Sequence, residues 1–329
     1  MSEHAFFHTL TSIRRLGRSG PENILNAPGN KPLLDVALKK AIDLGWIDGP
    51  RVVPAGHAIT PTGGHLDPTM FQALAPHIMP LTVEEGIANG VSEVRKAVRY
   101  QIKYGAQVIK VCASGGVMSH TGPAGAQQYS DEELAAIADE AHRAGLKVAA
   151  HAHGDDGIRA AVEAGFDCIE HGSLMSDETL DLFIERGTFL VATTYLADGM
   201  DVSHAAPELQ AKAAEVFPRA RETIKKAVER GARIACGTDA PAIPHGKNAK
   251  ELLALVDRGM TPLQAIRAAT TVSAELIDVD DRARLEGGLL ADIVGVPGDP
   301  LADIGVTEQV RFVMKGGQVY RDDASSRAG

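Results

Sequence analysis

The chain has 329 residues, of which 44% are hydrophobic and 23% charged, and a formal net charge of -10. That length suits one large α/β domain with a minor appendage, and the composition supports a sizeable core and excludes extensive disorder. The acidic balance, with no long lysine and arginine run set against it, excludes the phosphate-backbone footprint of a nucleic-acid binder.

The opening MSEHAFFHTLTSIRRLGRSG has no apolar stretch of signal type, and no segment reaches the roughly 18 uncharged apolar residues of a membrane span. The expectation is a cytoplasmic chain with no membrane partner. His4 and His8 are spaced i, i+4 on one face of a predicted helix, where histidines are ordinarily surface residues. TSIRRL, from Thr11 to Leu16, is a candidate strand. Strand-length apolar runs then recur, each followed by a helical pattern: RVVPAG near 51, QVIKVCA near 107, LKVAAHA near 146, CIEHG near 168, FLVATT near 189 and RIACGTD near 233. Alternation of this kind predicts parallel strands with crossover helices. In SDEELAAIADEAHRAG, Ser130 caps a helix, Glu133 completes a capping box and Gly145 stops it. Cys112, Cys168 and Cys236 sit within apolar runs far apart, which suits reduced core thiols rather than disulfides. After Leu285 the texture changes to short β runs with a GG turn. The predicted division is an α/β domain over 1–284, a small β appendage over 285–322 and a flexible tail over 323–329.

Four residues carry the candidate chemistry. Lys110 lies in the middle of an apolar strand, where a lysine must be paired, shifted in pKa or chemically changed. His151 ends the next strand in VAAHAHG, His171 ends the one after it in CIEHGS, and Asp239 ends a later one in ACGTDAP. Reactive groups at several separate strand ends point to a (β/α)8 TIM barrel rather than to a doubly wound sheet, which gathers them at one switch point. No GxGxxG or Walker-type loop follows the first strands. Imidazole plus carboxylate is ligand chemistry for zinc or a similar divalent ion. His153, two residues after His151, points the same way from the strand and suits substrate contact. His65 ends the glycine-rich rim loop HAITPTGGH and is a further substrate candidate. Tyr195 in ATTYLADGM offers a phenolic donor to an oxyanion, and His245 in PAIPHGKN a partner for a substrate carboxylate. Ser114 and His120 are weaker candidates.

IKVCASGG, VAAHAHG, IEHGS and GTDAP, followed by LEGGLLADIVGVPGDPLADI and RFVMKGGQVY, resemble the amidohydrolase superfamily. The resemblance runs from about Thr11 to Tyr320 and is nearest to the metal-dependent dipeptidase, carboxypeptidase-like and ochratoxin-hydrolysing group, related to imidazolonepropionase. It implies a carbamylated Lys110 bridging two metals, His151 and His171 on the second metal, and Asp239 on the first metal as general base. Such a site hydrolyses an amide bond through metal-bound hydroxide, in a dipeptide or N-acyl amino acid with a free carboxylate. The family pattern opens with an HxH pair on a first strand, and this sequence lacks it. The expectation is therefore a barrel without strand one, holding at most one tight divalent ion, with a homo-oligomer as one way to cover the open seam. The rival readings are a truncated or decayed barrel with little turnover, and a hydrolase or deaminase of cyclic amides.

Overall fold

The computed structural model describes residues 33–67, 81–119, 122–240 and 242–323. His4, His8, the TSIRRL run, His120 and all but the first residue of the predicted tail lie outside these residues. Helices α1 (Leu34–Asp43) and α2 (Gly90–Lys103) precede strand β1 (Val108–Cys112). Strand and helix then alternate through α3 (Asp131–Arg143), β2 (Lys147–Ala152), α4 (Asp155–Glu163), β3 (Cys168–His171), α5 (Asp177–Arg186), β4 (Phe189–Val191), α6 (Leu196–Gly199), α7 (Pro207–Glu229) and β5 (Arg233–Ala235). Three helices follow, α8 (Lys250–Asp257), α9 (Pro262–Ala268) and α10 (Thr271–Leu276).

The five strands form one parallel sheet in chain order. Val, Ile and Cys flank Lys110 in β1, and every residue of that strand is buried, as expected where helices cover one face of a parallel sheet and the other face is packed too. Ile109, Val148, Ala150, Ile169, Leu190 and Ile234 meet Leu134, Ile137, Phe183, Ile224 and Leu255 of the helices in the main core. Burying a side chain such as Phe183 contributes about 2 kcal/mol. On the opposite face Val108, Ala149, Cys168, Phe189, Val191 and Ala235 pack with Leu276. The three cysteines are free and buried. Ser130 caps α3 with Glu133 closing the capping box, and Gly145 follows the helix at φ 75°.

The run RVVPAG is not a regular strand. Pro54 has no N–H to give a ladder, and Gly56 at φ 67° turns the chain out of extension. The segment still lies along the outer edge of β1, where Gln107 N donates to Pro54 O (2.7 Å), Ile59 N to Lys110 O (2.8 Å) and Cys112 N to Ile59 O (2.9 Å). Among the described residues β1 and β5 are the sheet's two end strands and do not pair with each other.

The C-terminal β runs form a separate antiparallel sheet of β6 (Ile293–Gly295), β7 (Phe312–Lys315) and β8 (Gln318–Asp322). Val313 and Val310 join the main core, and Lys315 Nζ donates to Gly49 O at 2.7 Å. No helix among the described residues is long and apolar enough to cross a membrane.

Candidate metal centre and active site

Register and alternation place the candidate residues on the face of the sheet opposite the main helix core. Lys110 pairs with Ala149 and Cys112 with His151, while Ala149 pairs with Cys168 and His151 with Glu170. Side chains two apart on a strand share a face, so Lys110, His151 and Glu170 stand on the side that carries Val108, Ala149 and Cys168. His171, one residue after Glu170, belongs by alternation to the helix-packed face. Its φ of 68° reverses the chain at the strand end and turns the imidazole inward. Asp239 is placed by the same device, at φ 51°.

His151, His153 and His171 bring their ring nitrogens within 4.8 Å of one another, all buried. His171 Nε2 lies 3.0 Å from His151 Nδ1, and the rings of His153 and His171 stack at 4.4 Å between centroids. Second contacts fix the rings: His171 Nδ1 meets Thr193 Oγ1 at 2.9 Å and His153 Nδ1 meets Ser173 Oγ at 2.8 Å. Thr193 Oγ1 gives its single proton to Ala192 O (2.7 Å). It must therefore accept from His171, which leaves the His171 Nε2 lone pair facing the cluster. Three buried imidazoles with second partners on two of them suit a divalent cation. Ser114 Oγ accepts from His153 N at 2.8 Å and so supports the end of β2.

Asp239 and His65 line one pocket with the three histidines, and Val117, Met118, Leu196, Met200 and Phe217 form its apolar side. His65 is 1% exposed and stacks on His151 at 4.1 Å. Gly116 permits this, because a Cβ there would stand 2.3 Å from the His65 ring. Gly154, the residue after His153, is equally constrained, since a Cβ there would lie 1.9 Å from Gly125 O.

Tyr195 and His245 do not line that pocket. The Tyr195 ring lies against Gly199, and His245 is exposed in a turn beyond Asp239. Lys110, 4% exposed, forms an ion pair with Glu170, 1% exposed. Glu170 is absent from the sequence reading. Its signal was a carboxylate inside an apolar run, two strands from a lysine of the same kind. Thr193 and Ser173, which fix the histidine rings, carry no signal beyond lying just after strands.

A sequence model of the amidohydrolase family matches residues 2–320. Ochratoxinase from Aspergillus niger is 37% identical over 342 residues, covering 95% of this chain and 70% of that enzyme. The crystal structure of a Xaa-Pro dipeptidase with methionine bound in its active site superposes with a TM-score of 0.84 at 39% identity, covering 89% of this chain and 73% of that one. A prolidase complexed with N-methylphosphonate-L-proline gives a TM-score of 0.81 at 33% identity over 96% of this chain and 84% of that one. An inward-facing cluster of three histidines at strand ends, in a chain matched along nearly its whole length, leads to one assignment: the chain belongs to the amidohydrolase family, in the group that holds dipeptidases and ochratoxinase, and is a hydrolytic enzyme.

Proposed function

We propose that this enzyme cleaves an amide or peptide bond in a small molecule with a free carboxylate, such as a dipeptide or an N-acyl amino acid, with a divalent ion at the histidine cluster. The observation that carries the reading is the convergence of His151, His153 and His171 within 4.8 Å beside Asp239 in one pocket. Nitrogen and carboxylate donors of this kind suit zinc. Bound there, the ion supplies Lewis-acid polarisation of the scissile carbonyl and lowers the pKa of a water.

His151 and His171 would hold the ion, with a carbamylated Lys110 as its anionic partner and Asp239 beside it as general base. The Glu170 contact is that of the unmodified amine; addition of carbon dioxide to Nζ, with loss of a proton to solvent, would turn the side chain into an anion that pairs with a cation instead. Asp239 takes the proton from the attacking water on its carboxylate and passes it to the leaving amine. His153 and His65 face the substrate from the same side. The apolar wall of Leu196, Met200 and Phe217 receives an apolar side group of the substrate. Tyr195 and His245, outside the pocket, meet only substrate groups that extend past the rim. Residues 1–284 carry the catalytic part, and 285–322 form an appendage that completes its core.

The test is a panel of dipeptides and N-acyl amino acids assayed before and after chelation, with metal analysis of each sample. Turnover is expected to vanish on chelation and to return with zinc. Undiminished turnover in fully metal-free protein overturns the reading, and ammonia release from cyclic amides alone redirects it.

A further inference from the structure

Two strained turns border the histidine cluster, and one turn of helix grips both. The first follows β4. Thr193, whose hydroxyl accepts from His171 Nδ1 at 2.9 Å, sits at φ 46°, a region that β-branched residues avoid. The next two backbone N–H groups, of Thr194 and Tyr195, donate to Glu251 Oε1 and Oε2, each at 2.8 Å. Glu251 lies in the first turn of α8 and is 0% exposed. The second turn follows β5 and carries Asp239 at φ 51°. Its Thr238 Oγ1 accepts from Asn248 Nδ2 at 3.0 Å. Asn248 and Glu251 belong to the same helical entry, since Glu251 N donates to Asn248 O at 3.1 Å.

We infer that Glu251 is a positioning residue, which holds the Thr193 turn so that the hydroxyl fixes the His171 ring, and which acts with Asn248 to set His171 against Asp239. The inference rests on the proposed metal site for its functional meaning. A carboxylate serves here because only two acceptor oxygens on one rigid fork satisfy two consecutive N–H donors. A glutamine offers one acceptor and sets an NH2 group against the other donor. Without the fork, Thr193 has less to offset its backbone strain. The turn then relaxes and the ring loses its partner.

The experiment measures zinc affinity by chelator competition on the purified full chain and its Glu251→Gln variant, and reads the His171 imidazole by long-range proton–nitrogen NMR in the metal-free state. Thr193→Val, which keeps the side-chain shape and deletes the hydroxyl, is the second variant and replaces Glu251→Gln if that chain does not fold. Ile137→Val, a core change remote from the pocket, controls for lost stability. Both test variants are expected to weaken zinc binding by about 10- to 100-fold, the usual effect of losing an outer partner of a metal-binding histidine. The control should stay at the parent value. In the parent, the NMR spectrum should show His171 protonated at Nδ1, and in the variants that signature should be lost. Parent affinity and an unchanged His171 signal in a folded variant overturn the inference. A parent that binds no zinc but shows the Nδ1 signature, lost in Glu251→Gln, overturns the metal reading and leaves the positioning role standing.

Discussion

The pocket has two unlike walls. The chemical wall, His151, His153, His171 and Asp239, stands on strand ends, and two of its four residues take positive φ, with Thr193 behind them a third. Each such residue costs on the order of 1–2 kcal/mol, offset by buried hydrogen bonds that involve Ser173, Thr193, Asn248 and Glu251. The apolar wall, Val117, Met118, Leu196, Met200 and Phe217, contains no residue at positive φ. Polar ties on its flanks hold it: Arg221 and Arg258 both pair with Asp198 of α6 at 2.7 and 2.5 Å, and Lys212 Nζ donates to Ser119 O at 2.6 Å. Partly exposed pairs of this sort contribute about 0–1 kcal/mol each. On the proposed function, strain and rigidity are concentrated where atoms react, while the surface that would shape the substrate rests on ties that are easily exchanged.

That contrast puts the largest effects on and behind the chemical wall. Asp239→Asn should keep the fold, because asparagine tolerates the left-handed region, yet lower kcat by about 10²- to 10⁴-fold, the span of general acid–base catalysis. Steady-state kinetics beside a thermal melt checks this, and a kcat within threefold of the parent would break the assignment. Behind that wall, Lys110→Ala is expected to abolish turnover and, measured against the metal-free parent whose free amine pairs with Glu170, to leave Glu170 as an uncompensated buried charge, a loss of about 3–5 kcal/mol in stability. Adding Glu170→Gln should restore much of that stability without activity, whereas a short carboxylic acid should return part of the activity of the single variant if the lysine works as a carbamate. Denaturant melts of the two variants, with assays in acetate or propionate, separate these roles.

On the apolar wall the changes should be milder and should fall on a different constant. Phe217→Ala removes a ring that only shapes the pocket, so kcat/KM for substrates with an apolar side group should drop by about tenfold, mostly through KM. Metal content should not move. A loss carried by kcat, or a parallel loss of metal, would show that the two walls are not separable.

Much of the fold was legible because parallel strands buried on both faces read as unbroken apolar runs, and because Ser130, Glu133 and Gly145 punctuate α3 by side-chain chemistry alone. Lys110, His151, His171 and Asp239 stood out for the converse reason: a polar residue inside such a run requires a partner. The partners were harder to see. Glu170 was hidden because alternation, applied alone, sends either it or His171 away from the site. Only the positive φ at His171, which no residue type announces, brings that imidazole to the side where alternation already puts Glu170. RVVPAG read as a strand because its valines outweigh Pro54 and Gly56 in composition, whereas in the backbone one proline and one turn decide the matter. Tyr195 and His245 follow strands closely, but a loop's path is set by contacts with other elements, here Gly199 for the tyrosine. Glu251 looked like any acid in a first helical turn.

The smallest expected effect concerns a third side of the pocket, the segment that brings in His65 and belongs to neither wall. Asp35, in the first turn of α1, accepts from Gly56 N at 2.6 Å and from Val36 N at 2.8 Å, and so anchors the chain where it leaves the edge of β1 for the rim loop. Burial pushes its carboxyl above the ordinary value of 3.8, with the backbone donors at Gly56 and Val36 opposing that shift only in part. A group whose folded pKa is raised contributes its stability below the unfolded value and loses it as pH rises through the folded one. The protonated Asp35 therefore favours the fold at acid pH, and that contribution fades upward from pH 3.8. Asp35→Asn does not titrate and replaces one acceptor by a donor, at a cost of about 1 kcal/mol. The stability of the parent relative to this variant should be greatest near the ordinary carboxylate value and decline as pH rises through the raised one. Urea melts of both chains across the acid range measure the difference directly. A gap that widens with pH would mean that the hydrogen bonds from Gly56 and Val36 outweigh burial, and that the His65 side of the pocket is tied down by the charged form.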